Sequence, residues 1–199
     1  MKRWIALLFV ITLAVMISAC SGKDDEQNTE GQNQNQGEDA TESEDSATDE
    51  EEVLVSLNDA DEEVVATATL TEDDKGVNVK LEGEGLPEGT HAFHIHEKGV
   101  CDPPDFESAG GHYNPEDKNH GKDDPEGPHA GDFDNIEVGE DGKVNEAFTT
   151  DQVTLKKGEE NTLYTDEGTS LVIHADEDDY KSQPAGDAGD RIACGVIGE

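Results

Sequence analysis

All seven histidines of this 199-residue chain lie between His91 and His174. If Thr90-His91-Ala92-Phe93-His94-Ile95-His96 is extended, its side chains alternate between faces and His94 and His96 project together. Histidines at i and i+2 are a common metal-ligand pair, although two surface histidines would give the same pattern. The alternation sends Phe93 and Ile95 to the opposite, core face. His91 goes with them, so a hydrogen-bonded structural role is preferred for it over metal ligation. The frame His112-x7-His120-x8-His129-x2-Asp132 is more specific, because three nitrogens and one oxygen suit a tetrahedral zinc site.

Strands are the elements available to hold these side chains. Short alternating runs begin at Val53, as Val53-Leu54-Val55-Ser56-Leu57, Val64 to Leu70 and Val77 to Leu81, with turn residues such as Asp74-Lys75-Gly76 between them. Further strands are expected over Thr90 to His96, Val144 to Thr149, Thr169 to His174 and Arg191 to Ile197, and no amphipathic helix is convincing. The fold class is therefore all-β, an antiparallel β-sandwich or flattened barrel with large loops. The stretch from Glu97 to Ile136, about 40 residues with little strand pattern, needs something other than a core to hold it. A zinc on the His112–Asp132 frame would do so.

The ends of the chain speak to location. Lys2 and Arg3 precede an apolar run from Trp4 to Ile17 and then Ser18-Ala19-Cys20, the layout of a secretory signal and short for a membrane span. Ile17-Ser18-Ala19-Cys20 resembles the lipobox of bacterial lipoproteins, in which Cys20 would carry the lipid that ties the protein to a membrane; a simple cleaved signal is the alternative. Without Cys20 the cysteine count leaves Cys101 and Cys194, for which one bridge is the economical reading in an exported chain. Residues 21–52 are polar and acidic with almost nothing to bury, so they read as a disordered tether between the signal, 1–20, and one domain, 53–199.

The formal charge is −37, and loss of Lys2 and Arg3 would take the mature chain to −39. In residues 53–199, 37 acids against 10 basic residues leave −27, so the domain itself is acidic. Such a chain avoids nucleic acid and anionic membrane surfaces.

Four segments together resemble the copper/zinc superoxide dismutases: Phe93-His94-Ile95-His96, Ser108-Ala109-Gly110-Gly111-His112-Tyr113-Asn114-Pro115, Gly127-Pro128-His129-Ala130-Gly131-Asp132 and Gly189-Asp190-Arg191-Ile192-Ala193-Cys194-Gly195-Val196-Ile197. The match spans essentially all of residues 53–199. It implies a Greek-key β-sandwich or flattened barrel of about eight strands, with a long zinc-binding loop and an electrostatic loop. It also implies copper held by His94, His96, His112 and His174, and zinc held by His112, His120, His129 and Asp132, so that His112 bridges the two. Asp178 matches the outer aspartate that accepts hydrogen bonds from one histidine of each metal, here His94 and His120. Cys101 and Cys194 match the family's disulfide, and Arg191, the only arginine outside the signal, matches the arginine that docks the superoxide anion.

The activity implied is dismutation of superoxide to dioxygen and hydrogen peroxide by a redox-cycling copper, with His112 carrying a proton and zinc in a structural role. Because a charge of −27 repels an anion, fast turnover asks for local positive potential near Arg191, with Lys118, Lys122 and Lys181 as candidates. Ala92 stands where family members often have Gly, and Ala185 where they often have Thr, which touches rate and no ligand. Two readings compete with the enzyme: a catalytically inactive copper- or zinc-binding lipoprotein of the same fold, and an acidic surface protein whose sandwich displays loops. The complete ligand set favours the enzyme. The sequence leaves open whether it is a monomer or a homodimer, and which side of the envelope it occupies.

Overall fold

The structure, a computed structural model, describes residues 52–198. The expected signal, Cys20 and all of the expected tether before residue 52 lie outside the described residues.

Nine strands and no α-helix occur among the described residues. They are β1 (Val53–Asn58), β2 (Val64–Asp73), β3 (Gly76–Glu84), β4 (Gly89–His91), β5 (Phe93–His96), β6 (Ile136–Val138), β7 (Lys143–Thr150), β8 (Thr169–His174) and β9 (Arg191–Ile197). Seven form one antiparallel sheet in the order β5-β8-β9-β1-β2-β3-β7, and β4 pairs with β6. Because β4 runs into β5 at one edge of the sheet and β6 leads to β7 at the other, the sheet curls into a half-barrel. The β3-to-β4 and β6-to-β7 connections lie together, with Gly85 N–H donating to Gly142 O at 2.9 Å.

Burial follows the period-two pattern. In β1 the inward side chains of Val53, Val55 and Leu57 are buried while Leu54 and Ser56 are exposed. They meet Ala66, Ala68 and Leu70 of β2 and Val77, Val79 and Leu81 of β3 in one core. Phe93, Phe133 and Phe148 close it with ring centroids 5.2–5.6 Å apart. Each such side chain contributes roughly 1.5–3 kcal/mol by leaving water.

The expected strand from Thr90 to His96 is broken. Its two halves pair with different partners, His91 with Ile136 of β6 and Phe93 with Ile173 of β8. Ala92 lies at the break, donating to Asp176 O and accepting from His174 N–H, both at 2.9 Å. The split was not legible because Thr90 to His96 runs without a glycine or proline to mark a break, and only the partner strands distinguish its halves. The short β6, which no sequence pattern announced, exists because β4 needs a partner.

Every residue of β5 and β8 is buried, on both faces. One face packs on the core; the other is covered by loops, since Val172 of β8 meets Phe106, Ala109 and Cys194. The histidines of this outer face are therefore enclosed.

Candidate metal centre

The long segment after β5 folds back along that strand. Ile95 donates to Gly131 O and accepts from Tyr113 N–H at 2.9 and 2.8 Å, and His96 and His94 form isolated bridges with His112 and Asp132. This covers the open edge of β5 and lays two loop residues beside two strand histidines. A disulfide between Cys101 and Cys194 ties the loop to β9.

Two clusters result. His94, His96, His112 and His174 bring one ligand atom each within 4.8 Å of the others, and so do His112, His120, His129 and Asp132. The six histidines involved are 7 % exposed or less. His112 belongs to both clusters, and its ring lies between those of His94, at 4.0 Å, and His129, at 5.5 Å.

Outer hydrogen bonds decide which atom of each ring is free. Asp178 Oδ2 and Oδ1 accept from His94 Nε2 and His120 Nε2 at 3.0 and 2.9 Å, which leaves both Nδ1 atoms with a lone pair. His96 Nδ1 donates to Gly110 O at 3.0 Å and leaves Nε2, which stands 3.3 Å from His174 Nε2. His94 Nδ1, His112 Nε2, His120 Nδ1 and His129 Nδ1 are buried without a hydrogen-bond partner. His120 Nδ1 and His129 Nδ1 lie 3.0 and 3.3 Å from the Asp132 carboxylate, in contact but without hydrogen-bond geometry. Buried polar atoms are normally satisfied. Four orphaned nitrogens aimed at two centres fit a pair of metal ions with N and O ligands.

The electrostatics divide along the same line. Burial, with the neighbouring histidines, lowers His112 to about 4 and His174 to about 3 and holds His96 well below the usual value, so these rings are neutral and able to ligate. Burial also opposes the charged form of His120, but the Asp132 and Asp178 carboxylates beside its ring push it up to about 9. Burial would raise Asp132, yet the hydrogen bond from His112 and the close imidazoles of His120 and His129 hold it far below the carboxylate range. A cation entering this second cluster therefore meets the full negative charge of Asp132.

Three residues that the sequence did not single out complete the surroundings. Asn135 brackets the Asp178 backbone, donating to its carbonyl and accepting from its N–H at 2.9 Å each. Gln183 clamps His120 through both its backbone groups at 2.9 Å. Gly186 has φ +71°, and a Cβ there would sit 2.0 Å from Asp178 Oδ1. None belongs to a motif, because each acts on a residue distant in sequence. His91 stands apart from both clusters, its ring nitrogens 2.9 Å from His174 O and Pro87 O.

Arg191 donates from Nη1 to Phe106 O and from Nη2 to Gly110 O, both at 2.6 Å. It is half-buried, and burial lowers its pKa. The lysines expected to assist it are paired: Lys118 with Glu116 at 2.7 Å, Lys181 with Asp123 at 3.6 Å, and Lys122 with Asp134. The cavity beside Arg191 is lined also by Asp105, Glu107 and Asp190.

Replacing Asp178 by Asn leaves one acceptor oxygen for two imidazole donors. The expected result is zinc affinity roughly 10–100-fold weaker, the usual cost of losing such an outer partner. Chelator competition checks it; an unchanged affinity would show that His94 and His120 need no orienting carboxylate.

A curled antiparallel sheet carrying two histidine clusters that share one ring defines a two-metal β-barrel protein. The family model for copper/zinc superoxide dismutase (SODC) matches residues 64–197. The chain is 56 % identical over 136 residues to "Superoxide dismutase [Cu-Zn] 2" of Aquifex aeolicus, covering 68 % of this chain and 80 % of that one. Among solved structures, a SOD-like protein from Bacillus subtilis matches with TM-score 0.70 and 40 % identity, over 72 % of this chain and 97 % of that chain. The Cu/Zn superoxide dismutase from Brucella abortus matches with TM-score 0.60 and 33 % identity, over 74 % and 100 %. The chain belongs to the copper/zinc superoxide dismutase family.

Proposed function

We propose that this protein converts superoxide to dioxygen and hydrogen peroxide outside the cytoplasm, tied to a membrane by lipid on Cys20. His94, His96, His112 and His174 would hold copper, and His112, His120, His129 and Asp132 would hold zinc. The observation that carries the reading is the sharing of His112: its Nδ1 lies 2.8 Å from Asp132 Oδ1, while its Nε2 is buried and unpartnered and its ring also belongs to the cluster of His94, His96 and His174.

Copper, when bound, supplies one-electron redox chemistry, and zinc a fixed positive charge without redox chemistry. His112 Nε2 is the atom able to hold a proton and give it to the departing peroxide. The loops over β5 and β8 exclude bulk water and larger solutes. Arg191 has five N–H donors, of which the two bonded to Phe106 O and Gly110 O fix its plane, leaving others for an anion.

The test is to load the full chain with both metals, measure their content and assay superoxide removal on one sample. About one copper and one zinc per chain with rapid removal supports the reading; both metals without activity above free copper would sink it in favour of the metal-binding lipoprotein.

The charge pattern makes a second prediction. With −27 on the domain and the candidate lysines paired, the long-range field repels superoxide. Screening should then raise kcat/KM about two- to fivefold between low and physiological ionic strength. A decrease would mean that local attraction at Arg191 outweighs the global charge.

A further inference from the structure

The peptide group between Gly110 and Gly111 is bonded on both edges. Its carbonyl accepts from His96 Nδ1 at 3.0 Å and from Arg191 Nη2 at 2.6 Å, so one oxygen orients a proposed copper ligand and the proposed anion-docking arginine. On the opposite edge of the same plane, Gly111 N–H donates to Glu97 Oε1 at 3.0 Å. Glu97 also donates its own backbone N–H to Gly111 O at 2.9 Å. Its side chain lies against Gly110, where a Cβ would sit 2.6 Å from Oε1 and 2.8 Å from Cγ, and where φ is +76°.

Two consecutive glycines make this the plane with least resistance to rotation, because neither residue has a Cβ to restrict it. Rotation would turn the carbonyl from both donors at once. A carboxylate on the N–H opposes the rotation and polarises the carbonyl across the plane, strengthening it as an acceptor. We infer that Glu97 is a positioning residue that acts through the Gly110–Gly111 peptide to hold His96 as its Nδ1–H tautomer and Arg191 in its docking orientation. What those two residues do rests on the dismutase reading; their alignment by Glu97 does not. The Glu97 side chain is exposed, so core packing does not require it.

The experiment compares Glu97→Ala and Glu97→Gln with Glu72→Ala in the full chain. Glu72 serves as control because it holds Thr154 and Leu155 of another loop at 2.9 and 2.7 Å. In the metal-free protein, nitrogen NMR of the imidazoles should show one His96 tautomer in the wild type and in Glu97→Gln, whose amide oxygen still accepts, and a mixture in Glu97→Ala. In the copper-loaded protein, azide affinity read from the optical spectrum should fall roughly tenfold in Glu97→Ala, as for loss of a hydrogen bond to a charged group, and less in Glu97→Gln. Glu72→Ala should lower thermal stability and leave both readouts unchanged. Glu97→Asp, one methylene short of Gly111, replaces the alanine variant if that one does not fold. An unaltered His96 tautomer and azide affinity in these variants overturns the inference. A wild type that binds neither copper nor azide would sink the dismutase reading instead, and the tautomer measurement would still decide on Glu97.

Discussion

His112→Ala is expected to abolish superoxide removal, by about a thousandfold or more, and to lower the content of both metals in a single step. The rate figure corresponds to about 4 kcal/mol of lost barrier reduction. The reason is geometric: this ring lies 4.0 Å from His94 and 5.1 Å from His120, and among the described residues no other serves both clusters. Removing it opens a cavity between the clusters and leaves the Asp132 carboxylate buried with one imidazole partner fewer. Metal analysis and assay on the same sample check it, with circular dichroism to show that the sheet persists. Retention of one copper and one zinc with activity within tenfold of wild type would overturn the role of His112.

The second large effect concerns stability. Joining Cys101 to Cys194 closes a loop with a sequence separation of 93. Loop entropy alone predicts that Cys101→Ser with Cys194→Ser costs about 4–5 kcal/mol, or roughly 10–20 °C in Tm for a domain of this size. The loss should also be local. Cys101 packs on the small cluster of Phe106, Ala109, Val172 and Cys194, and Phe106 carries one of the carbonyls that hold Arg191. Anion affinity at the loaded site should therefore fall together with the melting temperature. A midpoint within about 2 °C of wild type would show that the loops, and not the bridge, hold this end of the barrel.

Neither prediction needs the residues before 52, which hold Cys20, the proposed site of lipid attachment, and the expected tether. Radiolabelled lipid incorporation that is lost in Cys20→Ser is the corresponding check on location, and soluble export of the wild-type chain would count against the anchor.

Much of the molecule was legible in its sequence because the interactions concerned are short in range. The period-two burial of Val53, Val55 and Leu57, the pairing of His94 with His96 on one face, and the frame from His112 to Asp132 follow from strand geometry and ligand chemistry alone. Family resemblance then named the two metals, and the family assignment bears it out. What the sequence could not show depends on partners remote in the chain. Thr90 to His96 read as one strand, and β6 and β8 divide it at Ala92 by pairing with different halves. Lys118, Lys122 and Lys181 read as candidates for steering, and only the folded loops place Glu116, Asp134 and Asp123 beside them. Asn135, Gln183 and Glu97 carried no motif, since each is defined by the backbone group it bonds. The sequence alone determined which side chains could ligate and which faces they share; the tertiary structure decided which atom of each ring is free, because that is set by hydrogen bonds between segments that meet only when the sheet closes.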